Sequence, residues 1–136
     1  MGSGRNRERA SVLVCDDEPG VRELLKIVLG GDYEVGEAAD GVEALELVRK
    51  LEPDVVVLDV MMPGRTGLQV LTEVRSDPGL AGTGVIMISA WDHVELAARA
   101  AGADHFLVKP FDAGELRAAV EELLNEVGPP PQESAP

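Results

Sequence analysis

Four apolar runs in this 136-residue chain end in polar side chains that a buried strand has no packing reason to carry. Ser11-Val12-Leu13-Val14-Cys15 runs into Asp16-Asp17, and Val55-Val56-Val57-Leu58 into Asp59. Val85-Ile86-Met87-Ile88 runs into Ser89, and Phe106-Leu107-Val108 into Lys109. Stretches with helical periodicity separate the runs. Strict alternation of strand and helix demands parallel strands, right-handed crossovers and helices on both faces of the sheet. Parallel strands share one carboxyl edge. Three carboxylates, a hydroxyl and an ammonium therefore converge where open α/β sheets place their functional crevice.

The first helix begins near Pro19 and carries Val21, Leu24, Leu25 and Val28 on one face, with Gly30-Gly31 as its stop. A second strand over residues 33–37 alternates apolar and acidic residues, the pattern of an exposed edge. Asp40-Gly41 opens a helix with Leu45, Val48 and Leu51 inward, and Pro53 precedes a strand over 54–58. Leu68, Leu71 and Val74 mark the third helix, broken by Asp77-Pro78-Gly79. An alanine-rich helix is predicted over about 92–101 and a strand over 104–108, followed by a final helix over 112–127. The expected class is a flavodoxin-like, doubly wound α/β fold with strand order 2-1-3-4-5. The polar residues favour the same order: strand 2 ends in Gly36-Glu37-Ala38-Ala39, lacks a buried acid, hydroxyl or lysine there, and belongs outside. Residues 1–10 read as a flexible polar leader, 11–127 as one domain, and the proline-rich 128–136 as a free tail or the start of a linker.

The net charge of −13 repels phosphate backbones, so direct nucleic-acid binding by this domain is not expected. No apolar run approaches the roughly 18 residues of a membrane span, and no signal peptide precedes the first strand. The single cysteine, Cys15, reads as a small apolar filler in a reducing cytoplasm. His93 and His105 lack metal-ligand spacing and read as surface or helix-end residues.

Carboxylates about 4 Å apart repel by about 4 kcal/mol at an effective dielectric of 20. Asp16, Asp17 and Asp59 would raise one another's pKa values unless a cation sits among them. Oxygen-only ligands at an open mouth suit Mg²⁺, with Mn²⁺ a close alternative. Capping of the first helix is the competing role for Asp16-Asp17, and Asp59 on the neighbouring strand favours the metal. Beside a cation, Asp59 can attack phosphorus, and Lys109 can offset charge on the phosphoryl oxygens. Ser89 either caps the next helix or donates to such an oxygen.

Asp16-Asp17, Asp59 with Met61-Met62-Pro63-Gly64, Ser89-Ala90 and Lys109-Pro110-Phe111 together resemble the receiver domain of two-component response regulators. The resemblance spans about residues 11–127. It implies that Asp59 accepts a phosphoryl group from a sensor histidine kinase or a histidine phosphotransfer protein in a phosphorelay. It implies direct Mg²⁺ ligands from Asp17, Asp59 and the Met61 carbonyl, with Asp16 acting through water. Ser89 is the implied switch hydroxyl and Lys109 the implied partner of the acyl phosphate. Phe106 is the implied switch aromatic, and Lys109–Pro110 the implied cis bond. The face of helix 4, strand 5 and helix 5 would carry the signal to an output domain or a downstream protein. The chain is then a switch and not an enzyme acting on a separate substrate. Met61 and Trp91 stand where relatives often carry polar groups that assist hydrolysis.

Three other classes compete with this: a phosphatase, an electron carrier, and a pure interaction module with a dead site, the last disfavoured because all five site residues are present. A haloacid-dehalogenase-type phosphatase places a second aspartate two residues after the nucleophile, where this chain has Met61. A flavodoxin-like electron carrier needs a hydroxyl-rich phosphate loop, where this chain has Asp16-Asp17-Glu18-Pro19.

Overall fold

A computed structural model describes residues 9–127. The strands β1 (Ser11–Cys15), β2 (Glu34–Ala38), β3 (Val55–Asp59), β4 (Gly84–Ser89) and β5 (His105–Val108) form one parallel sheet in the order β2-β1-β3-β4-β5. The helices are α1 (Pro19–Leu29), α2 (Gly41–Leu51), α3 (Gly67–Ser76), α4 (Glu95–Ala100) and α5 (Ala113–Val127). Class and strand order are those expected from the alternation. Most of the leader and all of the proline-rich segment 128–136 lie outside the described residues.

Side chains of β1, β3 and β4 alternate between two cores. Val12, Val14, Val57, Ile86 and Ile88 pack against Leu25 and Leu29 of α1 and Leu116 and Val120 of α5. Leu13, Cys15, Leu58 and Met87 face Leu45 of α2, Leu71 of α3 and Ala98 of α4. Burial on both faces is why these strands read as unbroken apolar runs. Cys15 is fully buried, and burial pushes its thiol well above the ordinary range. Among the described residues no helix is long and apolar enough to cross a membrane.

Helix starts follow local chemistry. Asp40 accepts the Glu43 N–H at 2.8 Å, and Thr66 and Gln69 form a capping box at α3. Asp112 and Glu115 do the same at α5. Each such cap contributes about 1 kcal/mol.

Two expectations are refined. The fourth helix opens as a 3₁₀ turn over Asp92–Val94, leaving α4 only six residues. Gly30 does end α1, but with φ −67° rather than in the left-handed region. Leu29 instead turns the chain by accepting the Asp32 and Tyr33 N–H groups.

The register sets the site. Cys15 pairs with Leu58, Asp59 with Ile88, and Ser89 with Val108. The residues at or just past those pairs stand abreast along one edge. Gly67 brings α3 against that edge: a Cβ there would lie 2.2 Å from the Asp59 carbonyl oxygen. Its N–H donates to Val60 at 2.8 Å.

Candidate functional site

Asp16, Asp17 and Asp59 each present a carboxylate oxygen, and these oxygens lie within 4.8 Å of one another. Asp16 follows β1, which hydrogen-bonds to β3, and Asp59 is the last residue of β3. Asp16 is buried, Asp59 is 4% exposed and Asp17 is exposed. The cluster therefore has a sealed floor and an open rim.

Asp16 is not a cap of α1. Its Oδ1 accepts the Glu18 N–H at 2.9 Å, and Glu18 itself holds the N-cap position. The other oxygen, Oδ2, accepts from Lys109 Nζ at 2.9 Å. The same ammonium lies 3.5 Å from Asp59 Oδ1. Lys109 is placed by its backbone N–H, which donates to the Ser89 carbonyl at 2.8 Å, and the Lys109–Pro110 bond is cis.

Burial and the charge of Asp16 push the Asp59 carboxyl from 3.8 up to about 6, against the pull of Lys109 and the Met61 N–H. Burial alone would lower the Lys109 ammonium. The hydrogen bond to Asp16 and the charges of Asp59, Asp16 and Glu18 outweigh it and hold the group above its ordinary value. One ammonium thus leaves Asp59 carrying an electrostatic cost. A hard divalent cation among these oxygens fits that deficit, and oxygen donors alone suit Mg²⁺ or Mn²⁺.

Ser89 is fully buried, and its Oγ accepts the Trp91 N–H at 2.9 Å. Phe106 is packed into the core on the side of Met87, its register partner on β4. The residue is 8% exposed. Met61 and Trp91 are each about half exposed, at 50% and 47%. His93 is exposed and stacks on Trp91 with ring centroids 5.9 Å apart. His105, half-buried, lies 3.1 Å from Glu122.

Arg22 stands in no motif of the sequence yet reaches the site. Its Nη1 donates to the Asp16 carbonyl at 2.8 Å and its Nε to Glu37 at 3.0 Å. The only signal available was an arginine one helical turn after Glu18, which many surface helices share.

Comparison with known proteins agrees with this geometry. A family model for the response regulator receiver domain matches residues 12–121. The chain is 40% identical over 119 residues to the DNA-binding response regulator MtrA of Mycolicibacterium smegmatis, covering 85% of this chain and 51% of that protein. It thus spans about half the length of that curated relative. Among solved structures, the receiver domain of a Francisella response regulator superposes with a TM-score of 0.83 at 32% identity, covering 88% of this chain and all of that one. TrrA of Thermotoga maritima, solved in complex with Mg²⁺-BeF, gives 0.77 at 38% identity over 85% of this chain and 99% of its own.

Proposed function

This chain belongs to the response regulator receiver domain family, and we propose that its Asp59 accepts a phosphoryl group from the phosphohistidine of a sensor kinase or phosphotransfer protein. A carboxylate oxygen of Asp59 forms the new bond to phosphorus. The nitrogen–phosphorus bond of the donor breaks, and its electron pair returns to the imidazole. The observation that carries this is the meeting of Asp16, Asp17 and Asp59 within 4.8 Å, with the Lys109 ammonium 3.5 Å from Asp59.

Asp16, Asp17 and Asp59 are the side chains that would hold the divalent cation, with the Met61 carbonyl as a further ligand. That cation supplies charge neutralisation for the transferring phosphoryl group. Lys109 pairs with a second phosphoryl oxygen. Ser89 accepts from Trp91, so its own proton is left to donate to a third. The acyl phosphate brings about −1.5 to −2 charge, which draws Ser89 and Lys109 toward it. Moving Ser89 shifts the 3₁₀ turn and α4, biasing an existing equilibrium. The face so altered already exposes Leu96 and Val108, which suits a protein partner. A DNA-binding output, like that named for MtrA, would require a further domain.

Acetyl phosphate with Mg²⁺ tests the assignment. Intact mass should rise by one phosphoryl group in the wild type and not at all in Asp59→Asn. Label persisting in that variant would place the acceptor elsewhere.

The phosphorylated form should also be long-lived. Met61 and Trp91 set bulky, mostly apolar groups two residues after Asp59 and Ser89 and offer no carboxylate, amide or hydroxyl to accept from and orient a hydrolytic water. Loss of label after removal of donor should take minutes or longer. Decay within seconds in the purified protein would refute the shielding role.

A further inference from the structure

The Asp16 backbone is held on both sides from outside the acids: its N–H donates to the Ala38 carbonyl at 3.2 Å, and its carbonyl accepts from a side chain of α1. Arg22 of α1 donates from Nη1 to the Asp16 carbonyl at 2.8 Å. Its Nε is held by Glu37 of β2 at 3.0 Å, and Glu37 also accepts from Lys26 at 2.8 Å. Hydrogen bonds from Lys26 and Arg22 hold the Glu37 carboxyl below its ordinary range, so the brace is charged on both sides. The Arg22 side chain is only 17% exposed, although it starts from a surface helix.

The bond falls on a particular oxygen. The Asp16 carbonyl belongs to the peptide plane that joins Asp16 to Asp17, and such a plane moves as one rigid unit. The Asp16 side chain is fixed independently, by the Glu18 N–H and by Lys109. Asp17 has no such anchor: among the described residues no hydrogen bond or ion pair holds its exposed carboxylate. Its backbone is what brings it to the other two acids, and that backbone is set by the plane Arg22 grips.

We propose that Arg22 is a positioning residue for the cation site, fixing the Asp16–Asp17 peptide so that the Asp17 carboxylate meets Asp16 and Asp59. The inference rests on the reading of these acids as the cation site. Outer groups of this kind typically change metal affinity by about 10–100-fold when removed.

The sign of the effect separates this role from simple electrostatics. Arg22 is a positive charge near a cation site. By charge alone its removal should tighten Mg²⁺ binding. By loss of positioning it should weaken it. Mg²⁺ is titrated calorimetrically against the whole chain in wild type, Arg22→Ala, Arg22→Gln and Arg22→Lys. The expected result is affinity weakened about tenfold or more in the alanine and glutamine variants. Lysine, which keeps the charge but not the planar fork that reaches two partners at once, should recover part of it. Equal or tighter Mg²⁺ binding in Arg22→Ala overturns the proposal. Arg22→Gln, which keeps much of the stem, decides in the same way if the alanine variant does not fold. A fall in melting temperature with no change in Mg²⁺ affinity shows a bracing role only and also overturns it. A wild type that binds no Mg²⁺ removes the cation site itself, a failure distinct from that of Arg22.

Discussion

Asp59→Asn should be more stable than the wild type in Mg²⁺-free buffer at pH 8, by roughly 1–3 kcal/mol. The Asp59 carboxyl rises from 3.8 to about 6 on folding, first through burial and then through the charge of Asp16. A carboxyl that holds its proton more tightly in the folded state favours folding at low pH. That contribution is complete below about 3.8 and is lost as pH climbs through about 6. At pH 8 the native protein carries the whole penalty, and a neutral amide of the same shape removes it. For a domain of this size about 1 kcal/mol moves the melting temperature by about 4 °C. Thermal melts at pH 5 and pH 8 check the sign: the variant's advantage should shrink at pH 5. Mg²⁺ should then reverse the ranking. A ligand at a hundred times its Kd stabilises by about 2.7 kcal/mol, and Asp59→Asn loses a negatively charged ligand from the site. A variant less stable than wild type at pH 8 without Mg²⁺ would mean that Asp59 is well accommodated as an anion. The electrostatic deficit assigned to the site would then be wrong.

The same residues explain why so much of the site was legible in the sequence. A parallel sheet turns a pattern along the chain into a place in space. Polar residues closing four apolar runs had to meet at one edge, and the register puts Asp59 opposite Ile88 and Ser89 opposite Val108. The acids, Lys109 and Ser89 were legible because each interrupts an otherwise apolar strand end. What stayed hidden depends on contacts between elements. Arg22 and Glu37 look like ordinary surface charges until α1 packs beside β2. The 3₁₀ opening before α4 was missed as well. Alanine-rich composition predicts helix, but the chain enters through a 3₁₀ turn over Asp92–Val94 that has no side-chain cap.

Lys109→Met provides the second large effect, and it splits two quantities that usually move together. Lys109 lies 2.9 Å from Asp16 and 3.5 Å from Asp59, with its side chain 21% exposed. Removing the ammonium leaves a fully buried aspartate with only the Glu18 N–H. Breaking one side of such a buried pair costs about 3–5 kcal/mol. Without a divalent cation the variant should be destabilised by about that amount. Mg²⁺ should restore more stability to it than to the wild type, because the competing positive charge is gone. Cation affinity should therefore rise. Phosphorylation should move the other way. Loss of one group that offsets developing charge typically costs about a hundredfold or more in rate, so labelling by acetyl phosphate should slow by about that factor at saturating Mg²⁺. Tighter cation binding with slower phosphoryl transfer is a combination that a packing role for Lys109 cannot produce. It is also opposite in sign to Arg22→Ala, where cation binding should weaken. Two cations at one acidic site thus act differently. Lys109 stands among the carboxylates in competition with the metal, and Arg22 stands behind the peptide that aims one of them. If both variants tighten Mg²⁺ binding, general electrostatics governs the site and the distinct roles fall together.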